Sequence, residues 1–131
     1  MTNDLPEIFW HLENGGHGGR LAGHALRLLN EAVELCVAAG ATSDEVYDRV
    51  KDELNKVYDR GVTDPGLLGR RFKHGPEELA EEIADVQILL NVLAHHAGHA
   101  NTRPLVDAKL DVLRQRKWEV DGDGVLWRPK T

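Results

Sequence analysis

Two pairs of carboxylates, each with two residues between its members, are the side chains of this sequence best suited to chemistry. One pair is Glu31 and Glu34, and the other is Glu82 and Asp85. Residues three positions apart lie on the same side of a helix, so each pair presents its oxygen atoms together. If the two helices pack along their apolar stripes, four carboxylates converge. Such an all-oxygen set favours Mg²⁺ or Mn²⁺ over Zn²⁺.

The neighbours of these acids are apolar rather than basic. The residues four positions after them are Leu35, Ala38, Val86 and Leu89, and Arg27 lies one turn before Glu31. Partly buried carboxylates without cations are costly and tend to protonate, which a bound divalent cation would prevent. The alternative is that the acids are solvated side chains on two amphipathic helices. The spacing alone leaves both interpretations open.

Four helical segments, each ended by glycine or proline, are predicted to position these acids. The apolar spacing predicts helices from Leu21 to Ala39, from Thr42 to just before Gly61, from Pro76 to about Gly98, and from Pro104 to about Trp118. The second helix begins with a capping box, TSDE. A loop rich in Gly, Pro and Arg is predicted from Gly61 to Gly75. The tail EVDGDGVLWRPK is predicted to form a short hairpin or a partner-clasping arm.

The face of the third helix is defined by its apolar residues. At about 100° per residue, the centre of the apolar face is formed by Leu79, Ile83, Val86, Leu90 and Leu93. Glu82 and Asp85 lie at the edge of this face, where we expect them to meet packed surface. Glu31 and Glu34 lie at the corresponding edge of the first helix.

The fold class predicted from these segments is all-α, most simply a four-helix-bundle-like single domain over residues 1–131 with an irregular N-terminal arm. The net charge of −6 argues against general nucleic-acid binding. The N-terminus lacks a signal-peptide pattern, and the apolar run from Ile88 to Ala94 is too short to cross a bilayer. Cys36 is alone, so no internal disulfide is expected. We therefore expect a soluble cytoplasmic protein without a membrane partner.

The acid motifs resemble those of a known enzyme family. The segments EAVE at Glu31–Glu34 and EIAD at Glu82–Asp85 are similar to the ExxE…ExxD signature of MazG-like nucleoside triphosphate pyrophosphohydrolases. The segment KLDVLRQRKW at Lys109–Trp118 is similar to the basic segment that follows the last core helix in that family. Asn91 stands where many relatives have Asn. The resemblance extends from about residue 21 to residue 118.

Two departures from the family pattern accompany this resemblance. The gap between the two acid motifs is longer than in compact MazG domains, because the helix from Thr42 to Arg60 intervenes. Leu113 stands where relatives often carry Asn.

The resemblance implies a metal-dependent enzyme that hydrolyses a (deoxy)nucleoside triphosphate to the monophosphate and pyrophosphate. It implies a homodimer or homotetramer of helical bundles with Mg²⁺ or Mn²⁺ held by the four acids, which are also the catalytic residues. Lys109 and Arg116 would bind phosphate oxygens, and Asn91 is a further substrate contact. Arg20 and His24 are candidate substrate contacts as well, since His24 projects onto the side of Glu31.

The substrate and the class of function have several candidates at this point. The small size and the tail are similar to phage proteins of the MazZ type, some of which hydrolyse dGTP to dGMP, so a purine is favoured with dGTP first. Such a protein would act in the host cytoplasm. Phosphoribosyl-ATP and the pyrimidines dUTP and dCTP are alternative substrates within the superfamily. A non-catalytic helical interaction protein is the alternative of another class.

The remaining motifs carry weaker signals. The Gly-rich stretch from Gly15 to Gly19 either cradles a phosphate before a helix or is a linker. His95 and His99 lie one turn apart without an HExxH pattern, and the DGDG sequence lacks the closing Glu of a calcium loop. No Glu has His three positions later, which argues against a carboxylate-bridged di-iron bundle.

Overall fold

The computed structural model describes residues 5–62 and 75–129, with side chains except those of 57–62. This part of the chain is mostly helical, and the expected all-α class is confirmed. The helices are α1 (Pro6–Glu13), α2 (Leu21–Ala38), α3 (Ser43–Val62), α4 (Pro76–His96) and α5 (Arg103–Leu113). Two short strands, β1 (Glu119–Val120) and β2 (Leu126–Trp127), pair antiparallel and form the predicted hairpin. None of the helices in the described residues is long and apolar enough to cross a membrane.

Local signals show why α2 ends and α3 begins where the sequence predicts. After α2, Gly40 adopts a φ of 102°, and the Ala41 N–H donates to the Cys36 carbonyl at 3.0 Å. This is the left-handed ending that glycine permits without strain. The capping box of α3 is confirmed, because the Thr42 N–H donates to Glu45 at 2.9 Å and the Glu45 N–H donates to Thr42 Oγ1 at 3.1 Å. These hydrogen bonds lower the pKa of Glu45.

Three predicted boundaries differ from the structure. The N-terminal arm was expected to be irregular, but Pro6–Glu13 forms α1, with proline at the start of the helix. The last helix ends at Leu113, and the Leu113 carbonyl instead accepts a hydrogen bond from Trp118 Nε1 at 3.0 Å. Helix α3 continues through Gly61 to Val62. The rest of the predicted loop, apart from Gly75, lies outside the described residues.

Tertiary contacts divide the chain into two compact units. Unit 1 combines Met1–Glu31 with Ala94–Thr131, and its buried apolar side chains are Leu110, Val125 and Leu126. Helix α1 packs on α5 in this unit. Arg103 of α5 donates to Glu7 of α1 at 2.9 Å and also pairs with Asp107. The Trp10 and Trp118 rings meet edge to face with their centroids 5.1 Å apart.

Unit 2, Ala32–Leu93, has no buried side chain among its described residues. Large apolar side chains of this unit are exposed along all three of its helices. They are Leu35, Val37, Tyr47, Leu54, Leu79, Ile83, Val86, Ile88, Leu89, Leu90 and Val92. A helix that is apolar on several sides normally lies in a packed interior. Unit 2 therefore presents surface that is chemically suited to burial and is not covered by the described part of the chain.

Candidate functional site

The four predicted metal ligands lie on the two helices that the sequence assigned to them. Glu31 and Glu34 lie on α2, and Glu82 and Asp85 lie on α4. All four residues are exposed, although the sequence led us to expect Glu82 and Asp85 against packed surface. Over residues 5–62 and 75–129, the structure brings no group of three or more His, Cys, Asp or Glu side chains together for a metal ion. The convergence of the two pairs therefore stays a prediction.

Glu31 has a cationic partner that the sequence places one turn earlier. Arg27 Nη1 lies 2.8 Å from Glu31 Oε1. The guanidinium of Arg27 also lies over the Trp127 ring, 4.5 Å from its centroid. Stacking on an aromatic face restrains a guanidinium and leaves its edge free to donate hydrogen bonds. Arg27 thus forms an ion pair with Glu31, and it places a positive charge at the end of the first acid pair.

The contact between Arg27 and Trp127 was not predicted from the sequence. The i, i+4 spacing of Arg27 and Glu31 was a visible signal. The stacking partner is 100 positions away in the chain, and no local pattern links it to Arg27. The contact exists because the hairpin returns the end of the chain to the first half of α2.

Arg20 and His24, both predicted substrate contacts, bind other parts of unit 1. The Arg20 backbone N–H donates to the Asp123 carbonyl at 2.9 Å, and Arg20 Nε lies 3.2 Å from Asp123 Oδ1. His24 Nε2 lies 3.0 Å from the Gly18 carbonyl oxygen. These contacts tie the Gly-rich stretch and the start of α2 to the hairpin. They favour a packed turn over either a phosphate cradle or a loose linker.

A histidine pair adjoins the same turn. The rings of His11 and His24 meet edge to face with their centroids 5.7 Å apart. The His11 ring fills the space that a side chain at Gly16 would need, so a larger residue there would displace the ring. Burial lowers the pKa of His11, and the charges of His24 and His17 lower it further. His11 therefore remains neutral to a lower pH than an ordinary histidine and packs as an uncharged ring.

The DGDG sequence forms the turn of the hairpin around Asp121. Asp121 Oδ1 accepts hydrogen bonds from the backbone N–H groups of Asp123, at 2.8 Å, and Val125, at 2.9 Å. Trp127 Nε1 donates to the other carboxylate oxygen. These bonds, the one from Val125 first, lower the pKa of Asp121. The carboxylate is thus used inside the turn, as expected for a turn rather than a calcium loop.

The Gly-rich stretch and the hairpin meet at two glycines. Gly19 and Gly124 have φ angles of 108° and 79°, and a Cβ on Gly124 would collide with the Gly19 backbone. We expect Gly124→Ala to destabilise unit 1 by about 1–3 kcal/mol, because alanine is strained at this φ and cannot fit. Urea unfolding followed by tryptophan fluorescence reports on this unit, since Trp10, Trp118 and Trp127 all lie in it.

Gly122→Ala is the matched control for this prediction. Gly122 is two residues away in the same turn, and nothing lies within 4 Å of a Cβ placed there. Its replacement should change the unfolding free energy by less than about 0.5 kcal/mol. Equal midpoints for the two alanine variants would contradict the close packing of Gly124 on Gly19.

The residues predicted to bind the phosphate groups of the substrate are accessible, and so is Asn91. Lys109 lies exposed on α5, and Arg116 is half-exposed after the end of that helix. Over the described residues, neither cation forms an ion pair, whereas neighbouring Arg114 pairs with Asp111 at 3.2 Å. Asn91 Oδ1 accepts a hydrogen bond from Gln87 Nε2 at 3.0 Å, so its amide group retains two N–H donors. Lys109 and Arg116 can therefore donate hydrogen bonds to phosphate oxygens, since no acidic side chain of the described residues pairs with them.

The side chains described above are the basis on which a function can be assigned. They comprise two exposed acid pairs on continuous helices, an Arg27 side chain stacked on Trp127, and two cations that form no ion pair within the described residues, Lys109 on α5 and Arg116 after it. Comparison with known proteins found no relative of this chain. No protein-family model, no curated protein and no solved structure matches it.

Proposed function

We propose that this protein is a metal-dependent nucleoside triphosphate pyrophosphohydrolase that adopts a four-helix bundle of the MazG type in a homo-oligomer. The observation that carries the proposal is the placement of two acid pairs, ExxE and ExxD, each on a single continuous helix with both members exposed. This arrangement supplies up to eight carboxylate oxygens, which are hard donors. They fit Mg²⁺ or Mn²⁺ and do not fit a thiolate- or imidazole-seeking metal.

The side chains have separate roles in the proposed reaction. Glu31, Glu34, Glu82 and Asp85 would hold the metal ion, and one of the glutamates would accept a proton from the attacking water. Lys109 and Arg116 bind the phosphate oxygens of the substrate. A triphosphate carries about four negative charges, which acidic side chains alone would repel. When bound, Mg²⁺ or Mn²⁺ supplies the positive charge that offsets this repulsion and favours ionisation of water.

Arg27 adds a role that depends on its contacts. Its guanidinium holds Glu31 at 2.8 Å while the Trp127 ring restrains it from behind. This keeps one oxygen of Glu31 oriented and leaves the second oxygen available to a metal. It also places a positive charge beside the first acid pair.

The proposed function predicts a defined product pattern. With Mg²⁺ or Mn²⁺, the protein should convert a nucleoside triphosphate to the monophosphate and pyrophosphate, with a purine preferred and dGTP first. The eight common ribo- and deoxyribonucleoside triphosphates, each followed by ion-exchange analysis of products, test this. EDTA should stop the reaction and excess Mg²⁺ should restore it. Release of orthophosphate, or no hydrolysis of any substrate, would contradict the proposal, and a pyrimidine preference would overturn the purine assignment.

A non-catalytic interaction protein is the second candidate, and the exposed apolar surface of unit 2 is the observation that favours it. Titration calorimetry separates the two functions. A pyrophosphohydrolase should bind a non-hydrolysable nucleoside triphosphate in the presence of Mg²⁺ and release heat. Absence of binding with every nucleotide would favour the interaction protein.

A further inference from the structure

The rings of His11 and His24 meet where the end of α1, the Gly-rich stretch and the start of α2 come together. Helix α1 ends in a left-handed turn, in which Gly15 has a φ of 95° and the Gly16 N–H donates to the His11 carbonyl at 2.9 Å. This turn brings Gly16, which is buried, against the His11 ring. The centroids of the two histidine rings lie 5.7 Å apart. The pair is therefore a direct contact between the end of α1 and the start of α2.

Contacts with the Gly-rich stretch and the hairpin fix the His24 ring. Its Nε2 atom lies 3.0 Å from the Gly18 carbonyl oxygen. Because a carbonyl oxygen only accepts hydrogen bonds, this nitrogen carries a proton and donates. A Cβ at Gly19 would lie 2.8 Å from the same nitrogen, so the ring packs closely on this backbone. Arg20 then joins the stretch to the hairpin through its ion pair with Asp123 at 3.2 Å.

The charged groups around the two rings leave His11 without a compensating anion. The charges that act on His11 are those of His24 and His17, and both side chains are cations when protonated. The hairpin acids lie on the side of His24. The charge of His24 helps to lower the pKa of Asp121, and Asp123 is already held in an ion pair. Over residues 5–62 and 75–129, no carboxylate forms an ion pair with either ring.

The first turn of α1 is attached by groups that keep their charge in mild acid. Arg103 of α5 donates to Glu7 at 2.9 Å and also pairs with Asp107. The hydrogen bond from Arg103 lowers the pKa of Glu7, so this carboxylate stays ionised well below neutral pH. An eight-residue helix is marginal without tertiary contacts. Loss of the His11 contact would therefore release the last turn of α1 while its first turn stays attached.

We propose that His11 and His24 form a pH-sensitive latch, which joins the end of α1 to the Gly-rich stretch and the start of α2 at neutral pH and opens in mild acid. When both rings are protonated, two like charges face each other in a half-buried contact, which is unfavourable. Movement of His11 into water relieves this repulsion, while His24 keeps its hydrogen bond to Gly18. The opening is local rather than global. The latch is inferred from the packing of unit 1 and does not depend on the proposed function.

The direction of the pH dependence follows from His11. Burial, and then the charges of His24 and His17, lower the pKa of His11 below the ordinary histidine value of 6.5. As the pH falls, the unfolded chain therefore takes up this proton before the folded chain does. The stability that neutral His11 contributes is complete above pH 6.5, and it is lost as the pH falls through the lowered pKa of His11.

Proton NMR of the wild-type protein tests the latch directly. The ring protons of His11, assigned by their absence in His11→Phe, should titrate below pH 6.5. Cross-relaxation between the His11 and His24 rings should be present at about pH 7.5 and lost at about pH 5. In His24→Gln, which removes the ring charge and keeps a donor for the Gly18 carbonyl, the titration of His11 should move toward pH 6.5. A ring contact that persists at about pH 5, or titration of wild-type His11 at or above pH 6.5, would overturn the proposal.

Urea unfolding separates the latch from the other titrating groups of the protein. The His11→Phe variant keeps an aromatic ring that takes up no proton. Its urea midpoint, followed by tryptophan fluorescence, should fall less than that of the wild type between about pH 7.5 and about pH 5. His99→Phe is the matched control, because His99 is an exposed histidine of the same unit, and it should keep the wild-type fall. Equal falls in the wild type and His11→Phe would contradict the latch. If His11→Phe does not fold, the loss or persistence of the ring contact in the wild type decides the question.

Discussion

Replacement of Glu34 by Gln is expected to lower the rate of pyrophosphate release about 100-fold or more, while the helical content stays unchanged. Glutamine keeps the shape of glutamate and one carbonyl oxygen but removes the negative charge that holds Mg²⁺ or Mn²⁺. Glu34 is exposed on α2, so its replacement leaves no buried polar group without a partner. The loss of rate would therefore reflect metal binding and catalysis rather than unfolding. Asp85→Asn on α4 should behave in the same way.

The metal dependence of these variants distinguishes a ligand from a residue that merely supports the fold. If Glu34 binds the metal, the Mn²⁺ concentration needed for half-maximal rate should rise in Glu34→Gln. Glu53→Gln is the matched control, because Glu53 is an exposed α3 glutamate whose contact is Lys56 at 3.5 Å. The control should keep both the rate and the metal requirement of the wild type. Full activity in Glu34→Gln or in Asp85→Asn would refute the four-carboxylate assignment.

The end of α2 and the start of α3 could be predicted because their signals are local. The start of α3 follows from the Thr42 and Glu45 side chains, which form the two hydrogen bonds of the capping box. The end of α2 follows from Gly40, whose left-handed φ suits glycine. Each signal lies within a few residues of the boundary that it sets. The placement of each acid pair on one side of one helix is a consequence of the same local geometry.

The contacts within unit 1 could not be predicted, because they join distant parts of the chain. The turn at Gly19 packs on Gly124, and Arg27 stacks on Trp127. Helix α1 was missed for a similar reason. It has only eight residues, and its Glu7 is fixed by Arg103 of α5. A helix of this length is marginal in isolation and depends on tertiary packing.

The sequence predicted which acids of the candidate site share a helix, but it did not predict how those helices pack. Spacing identified Glu82 and Asp85 as neighbours on α4, but it did not state what their helix packs against. The projection also assigned α4 a single apolar face, whereas Ile88 and Val92 are apolar residues on its other side. Both apolar sides are uncovered in the described chain. The residues that would cover them are distant in sequence or lie in a partner, and no local pattern identifies them.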